Sequence, residues 1–79
     1  MARIYKTDVI ELKKAMVEAG LEKIIDLSNE SGVDRNTVSK VVSGEIQPSS
    51  GVMDRFVTAL NLPPERAGRI FFNPDLRNT

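Results

Sequence analysis

Glycines at positions 20, 32 and 44 divide the first half of this chain into apolar-periodic pieces with no more than eleven residues between stops. Glycine takes φ > 0 without a Cβ penalty, so each of the three is a ready helix terminator. The first piece spans Thr7 to Ala19, with Val9, Leu12, Met16 and Ala19 recurring at three- and four-residue steps and Lys13, Lys14 and Glu18 on the other face. That spacing predicts an amphipathic helix, capped by Thr7 or Asp8, with Glu11 in its first turns where a negative charge suits the helix dipole. A second helix is predicted from Leu21 or Glu22 to Glu30, with Leu21, Ile24, Leu27 and Ser28 facing inward. A third follows from Arg35 to Ser43, capped by Asp34 and closed by Gly44, with Val38 and Val41 as its inner edge. Gln47-Pro48-Ser49-Ser50-Gly51 is a run of turn formers and predicts a loop. Beyond it Val52, Phe56, Ala59 and Leu60 set out a fourth helix ending near Asn61. Pro63-Pro64-Glu65 opens a fifth helix carrying Ala67, Ile70 and Phe71, and Asn73-Pro74 ends it. No segment alternates as a strand would and no internal repeat is present, so the expectation is all-α: five short helices joined by tight turns.

Composition narrows the chemistry. The 79 residues contain no His, Cys or Trp. Disulfides, thiolate nucleophiles and the usual zinc or haem ligands are therefore excluded, and no side chain has an ordinary pKa near 7. Neither an enzyme nor a metal or other cofactor is expected. The length fits one domain. The expected organisation is a flexible N-terminal arm at 1–6, a helical domain at 7–72 and a C-terminal tail at 73–79. No signal-peptide core follows Met1, and no apolar run approaches the roughly 20 residues that cross a bilayer. A cytoplasmic protein that does not engage a membrane is expected.

Residues 24 to 44 carry the functional argument. Two helices joined by a three- or four-residue turn containing glycine form a helix-turn-helix, placed here at about 22–43. Ser28 must be small where the second helix crosses the third, Gly32 reverses the chain, and Val33 plugs the turn against Leu27 and Val38. Asp34 then caps the third helix, leaving Arg35, Asn36, Ser39, Lys40 and Ser43 on a polar outward face.

The pattern resembles the Cro/repressor-type, or XRE, helix-turn-helix family of phage repressors and related bacterial regulators. Leu27-Ser28, Gly32-Val33, Asp34, Thr37-Val38-Ser39, Gly44 and Pro48-Ser49 match its succession of residue types. Ala59-Leu60-Asn61-Leu62 fits the end of its fourth helix, so the resemblance runs from about Asp8 to Phe72. It implies the compact five-helix lambda-repressor-like fold and sequence-specific binding of operator DNA in a bacterial host, at the nucleoid. It also implies base reading by Arg35, Asn36, Ser39 and Lys40. Arg and Lys can bridge O6 and N7 of guanine, and Asn can pair with N6 and N7 of adenine. Phosphate contacts are implied at Lys23, Thr37, Ser43, Gln47, Ser49 and Ser50, which position the domain without reading sequence.

Two departures from the family pattern stand out. Ile24 occupies the place where the family usually has a phosphate-touching Gln, and one extra residue lies between Gly20 and Leu27. Val42 stands where a polar residue is usual, and Ile46 follows the closing glycine. Ile24, Val42 and Ile46 are either extra core or an apolar surface for a protein partner. Phe71 and Phe72 cannot both point inward from one helix face, so one of them packs under the tail or meets a second subunit. Arg66 and Arg69 are expected to solvate the exposed side of the fifth helix.

Three functions follow from this reading. The first is a phage or prophage-type regulator in a lysis-lysogeny switch, binding a palindromic operator as a homodimer. The second is an antirepressor that forms a heterodimer with a cognate phage repressor and masks its DNA-binding surface. The third is the antitoxin of a toxin-antitoxin pair. Charge bears on the choice: eleven Lys and Arg balance eleven Asp and Glu. Residues 21 to 44 hold Lys23, Arg35 and Lys40 against Glu22, Asp26, Glu30 and Asp34, a net of −1, whereas Asp34 to Gly44 alone is +1. Such a chain is expected to have weak non-specific affinity for DNA and to rely on a locally positive reading edge.

Overall fold

The computed structural model describes residues 5–74. Five helices form in chain order: α1 (Val9–Glu18), α2 (Ile24–Ser31), α3 (Arg35–Val42), α4 (Ser50–Leu60) and α5 (Pro64–Phe71). The all-α expectation holds, with one addition. Strand β1 (Tyr5–Lys6) pairs antiparallel with β2 (Asn73–Pro74), Tyr5 opposite Pro74 and Lys6 opposite Asn73. Residues expected in a loose arm and tail thus meet each other; positions 1–4 and 75–79, including Leu76 of the expected tail, lie outside the described residues.

Capping explains most of the boundaries. Asp8 caps α1 by accepting from the Glu11 amide, Asp34 caps α3 by accepting from the Thr37 amide, and Ser49 caps α4 by accepting from the Val52 amide. The run of turn formers is therefore shorter as a loop than expected, because Ser50 and Gly51 already belong to α4. At the other ends, Gly20, Gly32 and Gly44 have φ of 74°, 76° and 82°, and Asn61 closes α4 at 54°. α2 starts later than expected, at Ile24, with Lys23 in the cap position making no side-chain cap bond.

The core gathers one stripe from each helix: Leu12, Ala15 and Met16 of α1, Leu27 of α2, Val38, Val41 and Val42 of α3, Phe56 and Leu60 of α4, and Ile70 and Phe71 of α5. Val33 and Leu62 close it from the connecting turns. Ala15 replaces Ala19 on the inner face, since Ala19 falls beyond the last turn of α1 and is exposed. α2 is central, packing against both α3 and α4, while α1 bridges α3 and α5. Arg66, expected to be solvated, instead donates to Glu18 and ties α5 to α1. No helix among the described residues is long and apolar enough to cross a membrane.

The turn after α2 tolerates little change. A Cβ at Gly32 would stand 3.1 Å from Nη1 of Arg55. That side chain can move, so the cost comes from the left-handed backbone. Gly32→Ala should lower the unfolding free energy by about 1–2 kcal/mol in urea titrations; an unchanged midpoint would refute the strain argument.

The α3 cap gives a pH signature. Hydrogen bonds from the Thr37 hydroxyl and then the Thr37 amide hold the Asp34 carboxyl below the usual carboxylate range. Folding lowers this pKa, so the stabilisation is complete above that range and is lost as pH falls through and below it. Asp34→Ser, a neutral cap, should lose less stability than wild type on acidification; parallel pH profiles would contradict this.

Candidate nucleic-acid interface

Hydroxyl groups lock the turn that aims α3. Ser28 Oγ donates to the Val33 carbonyl at 2.6 Å and Ser31 Oγ donates to the Leu27 carbonyl at 2.6 Å. Ser31 Oγ also accepts from the Val33 amide at 3.2 Å. Both the amide and the carbonyl of Val33 therefore have a hydroxyl partner, which permits an apolar plug at this position. Among the described residues no buried side-chain nitrogen or oxygen lacks a partner.

α3 leaves the turn with a sharply divided surface. Val38, Val41 and Val42 face the core, while Arg35, Asn36, Ser39, Lys40 and Ser43 are exposed. At 3.6 residues per turn, Asn36, Ser39, Lys40 and Ser43 share an arc of roughly 100° opposite Val38, with Arg35 one step aside and next to Ser39. The expected base-reading residues are thus brought together on one accessible helix face. Arg35 and Lys40 bring two positive charges to this face, and the ionised Asp34 at the start of the helix accepts from the Thr37 amide and hydroxyl.

The expected phosphate-binding residues divide into two groups. Lys23 is exposed at the start of α2. Ser49 accepts the Val52 amide with a lone pair, so its own proton remains to be donated, and Ser50 is exposed in the first turn of α4. The other hydroxyls and the amide are hydrogen-bonded within the protein, although Ser43 and Gln47 are exposed. Thr37 Oγ1 donates its proton to Asp34 at 2.7 Å, and Ser43 Oγ donates to the Lys40 carbonyl at 3.1 Å. Gln47 Nε2 donates to the Phe71 carbonyl at 2.6 Å, and Gln47 Oε1 accepts from Thr7 at 2.9 Å. A phosphate needs a donor, and Thr37 and Ser43 have already committed theirs.

The apolar residues weighed as either core or a partner surface divide between the two. Val42 is 7% exposed and Phe71 1%, so both are core residues. Val42 lies four residues after Val38, on the edge of the same buried stripe. Ile24 is half-buried against the core. Ile46 and Phe72 remain exposed, at 39% and 51%. Phe72 is the outward member of the phenylalanine pair and meets the Tyr5 ring edge-on, with centroids 5.8 Å apart.

Sequence reasoning missed the Ser31 hydroxyl and the hydrogen bonds of Gln47 to Thr7 and Phe71. Ser31 stands four residues after Leu27, on the face of α2 that turns inward, and this spacing was its available signal. For Gln47 no local signal exists, because its partners are 40 and 24 positions away.

Comparison with known proteins gives one match. A family model described as helix-turn-helix covers residues 12–66, from the first buried leucine of α1 into α5. No curated protein and no solved structure matches the chain significantly. The matched span includes α2, the Gly32 turn, α3 and the α3–α4 loop, so the chain belongs to the XRE-type helix-turn-helix family of DNA-binding transcription regulators.

Proposed function

We propose that the protein binds a palindromic operator as a homodimer, inserting α3 into the major groove. Two such helices related by a two-fold axis would enter grooves about 34–36 Å apart. The observation that carries the reading is the exposed polar arc of α3, held by a turn whose buried polar groups are hydrogen-bonded. Arg35 and Lys40 are suited to guanine, Asn36 to adenine, and Ser39 to either neighbour. Lys23, Ser49 and Ser50 would fix the register on phosphate, through side chains and through the free amides at the starts of α2 and α4. The resemblance to phage repressors and related bacterial regulators is what suggests a phage or prophage-type switch as the setting.

A second reading, docking onto a cognate repressor, is supported by the neutral charge and by the exposed Ile46 and Phe72. Burial of Val42 and Phe71 removes two of the five side chains that would have made its apolar surface. Co-elution with a neighbouring repressor, together with failure of the isolated protein to bind DNA, would favour it. The antitoxin reading has no separate structural support.

Gel-shift titration with the DNA upstream of its own gene tests the leading reading. Arg35→Ala and Asn36→Ala should each weaken binding about 5- to 150-fold, the range that about 1–3 kcal/mol per bidentate base contact implies, and leave thermal stability unchanged. Unaltered affinity in both variants would remove α3 as the reading helix. Binding should also weaken with salt, with a log–log slope near −0.9 per phosphate neutralised. A flat response would argue against a nucleic-acid ligand.

A further inference from the structure

We propose that Gln47 is a positioning residue for DNA-backbone binding, a strut that holds the α3–α4 loop against the end of α5 and the start of the chain; this rests on the DNA-binding reading of α3.

The last carbonyls of a helix have no partner inside it. At the end of α5 three of them are taken by groups outside the helix: the Asp8 amide donates to the Ile70 carbonyl at 2.7 Å, Gln47 Nε2 to the Phe71 carbonyl at 2.6 Å and Asn73 Nδ2 to the Arg69 carbonyl at 3.2 Å. Gln47 Oε1 accepts the hydroxyl of Thr7, the residue just before Asp8, at 2.9 Å. One side chain thus joins three separate stretches: the N-terminal segment, the end of α5 and the loop. On its α3 side the loop is anchored by the Glu45 and Ile46 amides on the Lys40 carbonyl, at 2.8 and 3.3 Å. On its α4 side Pro48 is buried and Ser49 begins the helix. Gln47 lies between these anchors, two residues before the proposed phosphate donor Ser49. Proline's fixed φ at 48 transmits its placement to the Ser49 and Ser50 hydroxyls and amides. A side chain committed in this way acts on phosphate through Ser49 and Ser50 and does not touch it.

The test compares Gln47→Met, of similar shape without the hydrogen bonds, with Thr7→Val and the double variant. In free protein the ¹⁵N order parameters of the Ser49 and Ser50 amides should fall in both single variants from the rigid value of about 0.85. This measurement uses no DNA, so it judges the strut even if operator binding fails. Against the DNA upstream of its own gene, Thr7→Val should bind about 2- to 12-fold more weakly, the range set by one net hydrogen bond, and Gln47→Met, which loses two, at least as much. The double variant should be no weaker than Gln47→Met alone. If Gln47 touched phosphate directly, Thr7→Val would leave affinity unchanged, and the order parameters of both variants would match wild type. Either result overturns the strut. A wild-type protein that retards no duplex would instead overturn the DNA-binding reading, with the order parameters still deciding the strut. Should Gln47→Met fail to fold, Thr7→Val alone carries both measurements.

Discussion

The reversal between α2 and α3 is the constraint on which the other parts depend. It packs an apolar plug, Val33, into a turn whose backbone would otherwise bury unpaired amides and carbonyls. The hydroxyls of Ser28 and Ser31 satisfy those groups from within α2, and Gly32 supplies the left-handed step that no side chain enters cheaply. Once the turn is fixed, the crossing of α2 and α3 is fixed. Val38, Val41 and Val42 then have one way to meet Leu27 and Phe56 in the core, and the opposite arc of α3 is committed to solvent or to a ligand. An unpaired polar group here would cost about 1–3 kcal/mol, enough to matter in a domain this small.

A second level of order comes from the chain ends. β1 and β2 close the molecule with a two-residue ladder, Asn73 donates to the Asp8 carboxylate at 3.4 Å, and Tyr5 leans on Phe72. These contacts are individually weak and largely exposed. Their effect is to hold the start of α1 beside the end of α5. Gln47 joins the α3–α4 loop to the same corner through Thr7 and the Phe71 carbonyl.

Much of this was legible in the sequence, where local chemistry decides the outcome. Asp34, Gly32 and Gly44 announce the limits of α3 because caps and left-handed stops act within one turn of the residue that makes them. Leu12, Leu27, Val38, Phe56 and Ile70 announce the core through helical period. What escaped depends on distance or on small margins. A two-residue ladder has no period to detect. The hydrogen bonds of the Thr37 and Ser43 hydroxyls to Asp34 and to the Lys40 carbonyl are local geometry that residue type alone does not reveal. Val42 looks like surface from family pattern, yet one helical step places it at the edge of the buried stripe. Gln47 could not be assigned without knowing which chain segment it would meet.

Charge remains the feature that makes this helix-turn-helix unusual: the chain is neutral as a whole, and Asp34 to Gly44 carry a net of +1. Asp34 keeps its charge against the Thr37 amide and hydroxyl, while Glu18 pairs with Arg66 and Glu11 with Lys14 at 3.2 Å, each pair neutral. Arg35 and Lys40 are left facing outward on α3. Specificity would then come from a few base contacts with little non-specific background. Selection of binding sites from a pool of random duplexes, by wild type and by Arg35→Ala, measures this most directly. Wild type should enrich a two-fold-symmetric site, and the variant should lose base preference at one symmetry-related pair of positions while keeping the rest. Enrichment of no site by wild type, or of the same site with the same preference by both proteins, would contradict the assignment of α3 as the reading helix.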